Sequence, residues 1–423
     1  SNVPLQPKHY LPVNIGGVKE NDFAMILGYP GRTNRWMPAE GIEQNVKYAY
    51  PAWVEGSKMG MDKMKVHMDK DAAVRLMYAS KYAGVANYWK NRQGMIDALS
   101  KFKTADAKRK NEAKFNAWAN KPANKAKYGE VVPTINKYYA MTNEKARHDN
   151  YLQQLLRTSA FGTISRGLGK QLEGYAKADV AKRAQLKPGL QEMINGFFEE
   201  VYLPAEKDIL AGQLALYNAK AGYKIAPSVE EMAKANNNDF TAFVNAAFEL
   251  SMFTSKEKLN AFLEIPSEAM ITNDPLNKLS NDMLTHLTTR SDELTQAQND
   301  YSKSFRLLVE GLRESKLSPI QYPDANSTLR LTYGKVRALP ADKRNDAKIN
   351  NYTTLEGMVK KHKAGDEEFN LSQPLIDLYN KKDFGQYADK DGSLHVNFLT
   401  DNDITGGNSG SPVLNGKGEL IGL

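Results

Sequence analysis

Two runs of β-type sequence lie near opposite ends of a 423-residue chain, separated by a long stretch whose apolar residues repeat at helical spacing. Phe23-Ala24-Met25-Ile26-Leu27 is short and apolar, and Gly28-Tyr29-Pro30-Gly31 ends it, which predicts a buried strand entering a turn. From about 46 the period changes. Val74, Met77, Tyr78, Tyr82, Val85 and Trp89 follow a helical repeat, as do Phe240, Phe243, Val244, Ala247, Phe248 and Met252. Tyr151, Leu152, Leu155 and Leu156 mark another helix, with breakers expected between helices at Pro188, Pro204, Pro227, Pro266 and Pro275. Strand character returns after about 318. Ser327 to Val336 alternates apolar and polar residues and is rich in β-formers. The segment 345–390 is polar and partly helical, with Leu355, Met358, Leu375 and Leu378 as anchors, and Leu394 to Thr400 reads as a further strand. Neither β part suffices alone. The order predicts an α+β fold in which β portions at 1–45 and 318–423 meet in one barrel around an inserted helical domain at 46–317.

The densest chemical signal is Thr405-Gly406-Gly407-Asn408-Ser409-Gly410-Ser411-Pro412-Val413. A bare Gly-Asn-Ser-Gly is equally a turn between strands, and Leu414-Asn415-Gly416-Lys417-Gly418 just after it is a hairpin turn. The longer motif says more. A serine nucleophile needs an exposed hydroxyl and two backbone N–H groups aimed at the oxygen that becomes negative, and Gly407 and Ser409 are spaced to supply them. Glycine at 406, 407 and 410 permits positive φ and keeps side chains out of the substrate's way.

This segment resembles the nucleophile loop of chymotrypsin-fold serine peptidases, and most closely that of bacterial dipeptidyl peptidases of the 7 and 11 types. Two further blocks, from Gly17 to Thr33 and from Tyr322 to Gly334, match the same family in the same order, and the likeness covers essentially the whole chain. The resemblance implies a chymotrypsin-like double β-barrel carrying a large helical insertion, and removal of dipeptides from free peptide N-termini. It leans towards the broader type 7 enzymes, with P1 choice, hydrophobic or acidic, left open. It also implies a periplasmic, cell-surface or secreted location and a homodimer.

A serine hydroxyl needs a base, usually a histidine held by a carboxylate. The six histidines are His9, His67, His148, His286, His362 and His395, and none has a chymotrypsin-like sequence context. His395 lies nearest the serine but on a strand, where a structural role is expected. His148 and His286 fall in polar helical stretches and are expected to be exposed. Asp401 and Asp403 are expected to be solvated loop acids, too weak to serve as the base. The resemblance puts the catalytic histidine and aspartate before the region where this chain begins, leaving Ser409 as one triad member of three. Asn408 stands where digestive relatives carry an aspartate that pairs with a newly cut N-terminus. Asparagine has no charge to offer, so activity is not expected to depend on such a switch.

The family holds the substrate's α-amino group, mostly cationic at neutral pH, with an asparagine on a helix of the inserted domain. The matching stretch, Lys81-Tyr82-Ala83-Gly84-Val85-Ala86-Asn87-Tyr88-Trp89-Lys90, points to Asn87. That residue lies about 200° round the helix from Val85, off the apolar stripe.

Composition removes several classes. The chain is 41% hydrophobic and 25% charged, an ordinary globular balance. There is no cysteine, hence no disulfide, thiolate metal site or cysteine nucleophile. No apolar run approaches the ~20 residues that cross a bilayer. The net charge is +8, but the basic stretch from Lys101 to Lys127 is broken by Asp106 and Glu112, with Phe115 and Trp118 as core anchors, so it reads as a solvated helix surface followed by a linker around Pro122 rather than a nucleic-acid site. Neither metal nor cofactor is indicated, since no histidine pair has ligand spacing and no Gly-rich phosphate loop opens a helix. A second reading stays open: a non-catalytic helical module that binds peptides or partners and retains a vestigial barrel.

Overall fold

The computed structural model describes residues 3–318, 320, 322–340, 351–366 and 368–423. They form an α+β structure of two compact units, Ser1–Trp36 with Ile320–Leu423, and Met37–Pro319.

In the first unit, a four-stranded antiparallel sheet is built from β1 (Phe23–Gly28), β2 (Arg330–Lys335), β5 (Val413–Leu414) and β6 (Leu420–Gly422), in the order β2-β1-β5-β6. A strand from the start of the chain is therefore clasped between strands from its end. Ile26 sits opposite Thr332 on one side and Val413 on the other. Side chains alternate across a strand, and Ala24, Ile26 and Val413 form a small core with Phe398 and Ile421 packed against it. Phe23 and Leu27 point to the other face and are 42% and 36% exposed, so β1 is buried on one face only. β3 (Tyr352–Thr354) and β4 (His395–Phe398) make a second, two-stranded sheet. Two short helices lie between them in sequence, α16 (Leu355–Lys360) and α17 (Gln373–Lys381). Leu355 is buried as an anchor should be, but Met358 and Leu378 are exposed, because these helices are too short to bury a full stripe. Residues 345–350 lie outside the described residues.

The second unit is helical from α1 (Ala39–Gln44) onward, so helix begins several residues before the β-type stretch was expected to end. The cause is a distant cap: the Glu112 carboxylate accepts the Ala39 N–H at 2.7 Å, satisfying one of the donors left free at a helix start. α1 runs through a π-helical turn, Asn45–Ala49, into α2 (Tyr50–Met68). Pro51 lacks an N–H and would crowd the preceding turn of an α-helix, and the wider turn makes room for it. α3 (Ala72–Lys101) starts at Asp71, whose carboxylate caps Ala73 and Val74. There follow α4 (Thr104–Ala119), α5 (Pro122–Tyr128), α6 (Val131–Thr158), α7 (Leu168–Lys177), α8 (Val180–Glu199) and α9 (Leu203–Lys220). Pro122 is thus not in a linker: it occupies the first position of α5, where a missing N–H costs nothing.

The unit is completed by α10 (Pro227–Ala235), α11 (Phe240–Leu250), α12 (Lys256–Glu264), α13 (Glu268–Thr272), α14 (Pro275–Thr288) and α15 (Asp292–Glu314). Prolines at 204, 227 and 275 do stand at helix starts. Pro188 does not. It sits inside α8 on the exposed side, and burial of Leu190 and Ile194 offsets the ~3 kcal/mol that an interior proline costs. The main core includes Leu152, Leu155, Leu172, Ile194, Leu214 and Phe253. α2 approaches α6 closely because Gly56 and Gly60 present no side chain: a Cβ there would lie 2.6 and 2.8 Å from Gln154 and Thr158. His148, expected at the surface, is only 1% exposed. Its ring nitrogens meet Tyr217 Oη at 2.7 Å and Asp149 Oδ1 at 2.9 Å, which makes a polar side chain tolerable in the core.

Candidate active site

The loop carrying Ser409 lies between β4 and β5 and is seated on the turn that follows β1. Gly31 N–H donates to Gly406 O at 2.7 Å, joining the two turns through their backbones. Within the loop, Asn408 N–H donates to Thr405 O at 3.1 Å, Asn408 Oδ1 accepts the Thr405 N–H at 3.3 Å, and Ser411 N–H donates to Asn408 O at 2.9 Å. Gly407 and Gly410 adopt φ of +101° and +77°, conformations that L side chains resist. Gly406 does not have positive φ. It leaves space open, and its carbonyl does the docking.

Ser409 is exposed at the tip of this loop, and its hydroxyl has no hydrogen-bond partner among the described residues. The N–H groups of Gly407 and Ser409 likewise find no acceptor there. Two unengaged donors flanking a free hydroxyl are what an oxyanion site requires, because donors already spent on the protein cannot stabilise developing charge. The serine opens on a cleft of about 1250 Å³ within this unit, whose apolar lining includes Ile26, Phe398, Ile404, Val413 and Ile421.

No described histidine bonds to the serine. His395 lines the same cleft, but its Nδ1 is 3.0 Å from Asp389 Oδ2, its ring stacks on Tyr352 with centroids 3.6 Å apart, and its enclosed Nε2 has no partner. It is locked in place by carboxylate and ring and makes no hydrogen bond to the Ser409 hydroxyl. The acids near the loop are exposed, as expected, yet they tie it down. Asp401 accepts the Lys335 N–H at 2.6 Å, while Asp403 pairs with Arg35 and accepts the Tyr322 hydroxyl at 2.7 Å, which raises the pKa of that tyrosine. Asp324 takes the Thr33 hydroxyl at 2.6 Å and the Arg35 N–H at 2.8 Å, stapling the residues after the Gly31 turn. The blocks from Gly17 to Thr33 and from Tyr322 to Gly334 contain Thr33 and Asp324, but nothing in their pattern names Asp324 as the hub.

Asn87 belongs to the other unit, exposed on α3 as expected of a residue off the apolar stripe. The helix is anchored by Glu206 of α9, an acid that sequence reasoning missed. This fully buried carboxylate accepts from Tyr78 Oη and Lys81 Nζ, both at 2.8 Å, from Ala160 N at 2.6 Å and from Ser159 Oγ at 3.1 Å. Four donors offset the cost of burying its charge. Burial and the adjacent carboxylate raise the Tyr78 pKa. Among the described residues no group of three acids or histidines has the geometry to hold a metal ion, and no described helix is long and apolar enough to cross a membrane.

A model of the Peptidase S46 family matches residues 1–423. The chain belongs to that family. It is 51% identical over 426 residues to a dipeptidyl-peptidase 7 of Capnocytophaga gingivalis, covering all of this chain and 59% of the relative. It is 32% identical over 435 residues to an Asp/Glu-specific dipeptidyl-peptidase of Flavobacterium psychrophilum, again with 59% of the relative covered. A crystal structure of Porphyromonas endodontalis DPP11 in complex with the dipeptide Arg-Glu superposes with a TM-score of 0.85 at 28% identity, over all of this chain and 60% of that one. The chain thus spans about three fifths of the length of these family members.

Proposed function

We propose that the full-length protein is a serine dipeptidyl aminopeptidase whose nucleophile is Ser409. The observation that carries this reading is the free hydroxyl of Ser409 beside two unengaged N–H donors on a loop fixed by positive-φ glycine. Ser409 Oγ attacks the carbonyl of the substrate's second residue as a base takes its proton. The carbonyl oxygen becomes negative and receives the N–H groups of Gly407 and Ser409. Collapse breaks the peptide bond, the leaving amine takes the proton from the base, and water then hydrolyses the acyl-serine to release the dipeptide. Asn87 is assigned to the substrate's α-amino group through its motif. The base and its aspartate are assigned to residues outside these 423, with His395 and Asp389 left as a structural pair.

The experiment is fluorophosphonate labelling of the full-length protein, with the modified peptide mapped, alongside dipeptide release from a free-N-terminus peptide and its acetylated form. Labelling at Ser409, loss of both signals in Ser409→Ala and no release from the acetylated peptide are expected. Labelling that persists in Ser409→Ala overturns the assignment, and so does abolition of labelling by His395→Gln. The sheet of the first unit is assigned to a chymotrypsin-like barrel, the selectivity to the broader type 7 class, the location to the periplasm or cell surface, and the assembly to a homodimer, all on family likeness. A monomer in sedimentation, recovery in the cytoplasmic fraction, or cleavage only after Asp and Glu would each remove the corresponding assignment.

A further inference from the structure

Five side chains of the helical unit form an alternating ladder of rings and cations: Tyr50, Arg92, Trp53, Arg157 and Tyr88. The Arg92 guanidinium carbon lies 4.6 Å from the Tyr50 ring centre and 5.6 Å from that of Trp53. The Arg157 carbon lies 5.0 Å from the centres of both Trp53 and Tyr88. Trp53 and Tyr88 pack against each other at 6.3 Å. The residues come from three helices, α2, α3 and α6, so tertiary packing builds the ladder rather than one helix face.

The charge on this ladder is unpaired among the described residues. Among the described residues neither Arg92 nor Arg157 has a carboxylate within ion-pair distance or a hydrogen-bond acceptor. Glu55, two residues from Trp53, is taken by the Tyr151 hydroxyl and by Lys220 at 4.0 Å. The enclosed Trp53 Nε1 has no acceptor either. A guanidinium stacked on a ring contributes its flat face to the contact and keeps its in-plane N–H fork available. Two such forks, 5.6 and 5.0 Å from the centre of one indole and without counter-charges among the described residues, suit a planar oxyanion that accepts two parallel N–H bonds.

We propose that the Arg92–Trp53–Arg157 ladder is a binding site for a carboxylate presented by an acidic side chain of a peptide. Arg157 is exposed and Arg92 half-buried, so a ligand meets the outer fork first. The inference goes beyond the peptidase reading and does not use the amine site. Acetylated probes keep the two apart, because a blocked N-terminus has no cationic α-amino group for Asn87 to hold.

The test is calorimetric titration of the full-length protein with Ac-Ala-Glu-Ala-amide, Ac-Ala-Gln-Ala-amide and inorganic phosphate. The Glu peptide is expected to bind roughly ten-fold more tightly than the Gln peptide, the scale of a charge-assisted hydrogen bond. That ratio should fall to about one in Arg157→Gln, drop in Arg157→Lys because the fork is lost while the charge is kept, and survive in Asn87→Ala. Arg92→Gln provides the second variant should Arg157→Gln fold poorly. Equal binding of the two peptides overturns the site, as does a ratio unchanged in both arginine variants. Phosphate binding that requires Arg157 without any preference for Glu assigns the forks to a free anion and overturns the peptide ligand.

Discussion

Gly407→Ala would add one methyl group to the Ser409 loop and, if Ser409 is the nucleophile proposed, should cripple activity. The added Cβ would lie 2.5 Å from the Tyr29 carbonyl oxygen and 2.6 Å from the Gly31 nitrogen. Both are main-chain atoms of the turn on which the loop rests, so no side chain can rotate away. Ordinary contact begins near 3.4 Å, and the two backbones must therefore part by about 0.9 Å. The turn cannot absorb the shift, since β1 is paired on both sides and Gly31 donates to Gly406 O. Alanine at φ +101° adds a further ~1–2 kcal/mol of local strain. Ser409 follows two residues later and moves with the loop. Misplacing a reacting group by ~1 Å costs about 100-fold in rate, equivalent to ~2.7 kcal/mol on the barrier.

The assay is kcat/KM of the full-length protein on a fluorogenic dipeptidyl substrate, together with the second-order rate of fluorophosphonate labelling, measured well below the unfolding midpoint. Both should fall about 100-fold with KM little changed. Gly28→Ala should cost less, roughly ten-fold, because the atoms met there include the side-chain ends of Asn408 and Ser411, which can turn. Gly196→Ala, inside α8 with nothing within 4 Å of the new methyl, should leave kcat unchanged and add ~0.5–1 kcal/mol of stability. A Gly407→Ala enzyme within three-fold of wild type, or one whose loss merely tracks its unfolded fraction, would refute the reasoning.

Asn87→Ala should lower kcat/KM on dipeptidyl substrates by about ten-fold or more without moving the thermal midpoint, since the side chain is exposed; an unchanged kinetic profile removes it from the site. Burial raises the Glu112 pKa, so its contribution is fully present below the unfolded pKa and is lost as pH rises through the folded one. Glu112→Gln, which keeps an acceptor for Ala39, should therefore stabilise the fold at pH 7 and converge with wild type towards pH 4 in urea titrations; a gain that persists at pH 4 sinks this account. His148→Ala leaves the buried Tyr217 hydroxyl with only the Ala226 N–H that it accepts and opens a cavity, for a loss of about 2 kcal/mol or more in chemical denaturation, and a loss under ~0.5 would show the contact to be dispensable. Glu206→Gln should cost about 2 kcal/mol by the same measurement, as the charge that Lys81 and Tyr78 share is removed; equal stability would mean the four donors do not need it.

Repeating patterns made most of the fold legible. A helical period over 74–89 and 240–252 reports burial against a neighbour, and those residues do line α3 and α11, except Met252, which falls in the 3-10 turn that follows α11. The pairing of β1 with both β2 and β5 was likewise implied by two half-sheets that could not stand alone. What escaped were partnerships set by tertiary contact. A glutamate at 112 reads as one more charge in a basic helix until Ala39 is placed above it, and Glu206 has no periodic signature. His148 was misjudged because polar neighbours in sequence say nothing about Tyr217, sixty-nine residues away. Pro188 was misread for a related reason. Burial of the residues beyond it can outweigh a local helix-breaking preference.

The candidate site was readable for the opposite reason, which follows from how little apolar mass surrounds it. The small core at the sheet consists of Ala24, Ile26 and Val413, against the extended cluster inside the helical unit. Three buried side chains of this size cannot rigidify a nine-residue loop by packing alone. Backbone fit takes over that task, through positive φ at Gly407 and Gly410, carbonyl-to-amide docking between Gly406 and Gly31, and close approach at Gly28. At Gly407 a positive φ coincides with main-chain atoms 2.5 and 2.6 Å from an added Cβ, so that position excludes every side chain larger than hydrogen and imprints itself on the sequence as a specific letter. Hydrophobic positions tolerate exchange among Leu, Ile, Val and Met and carry correspondingly weak signals. The motif is therefore legible through Gly407 and Gly410, whose positive φ glycine satisfies most readily, and the carboxylate networks are illegible because any acid at the right point in space would serve.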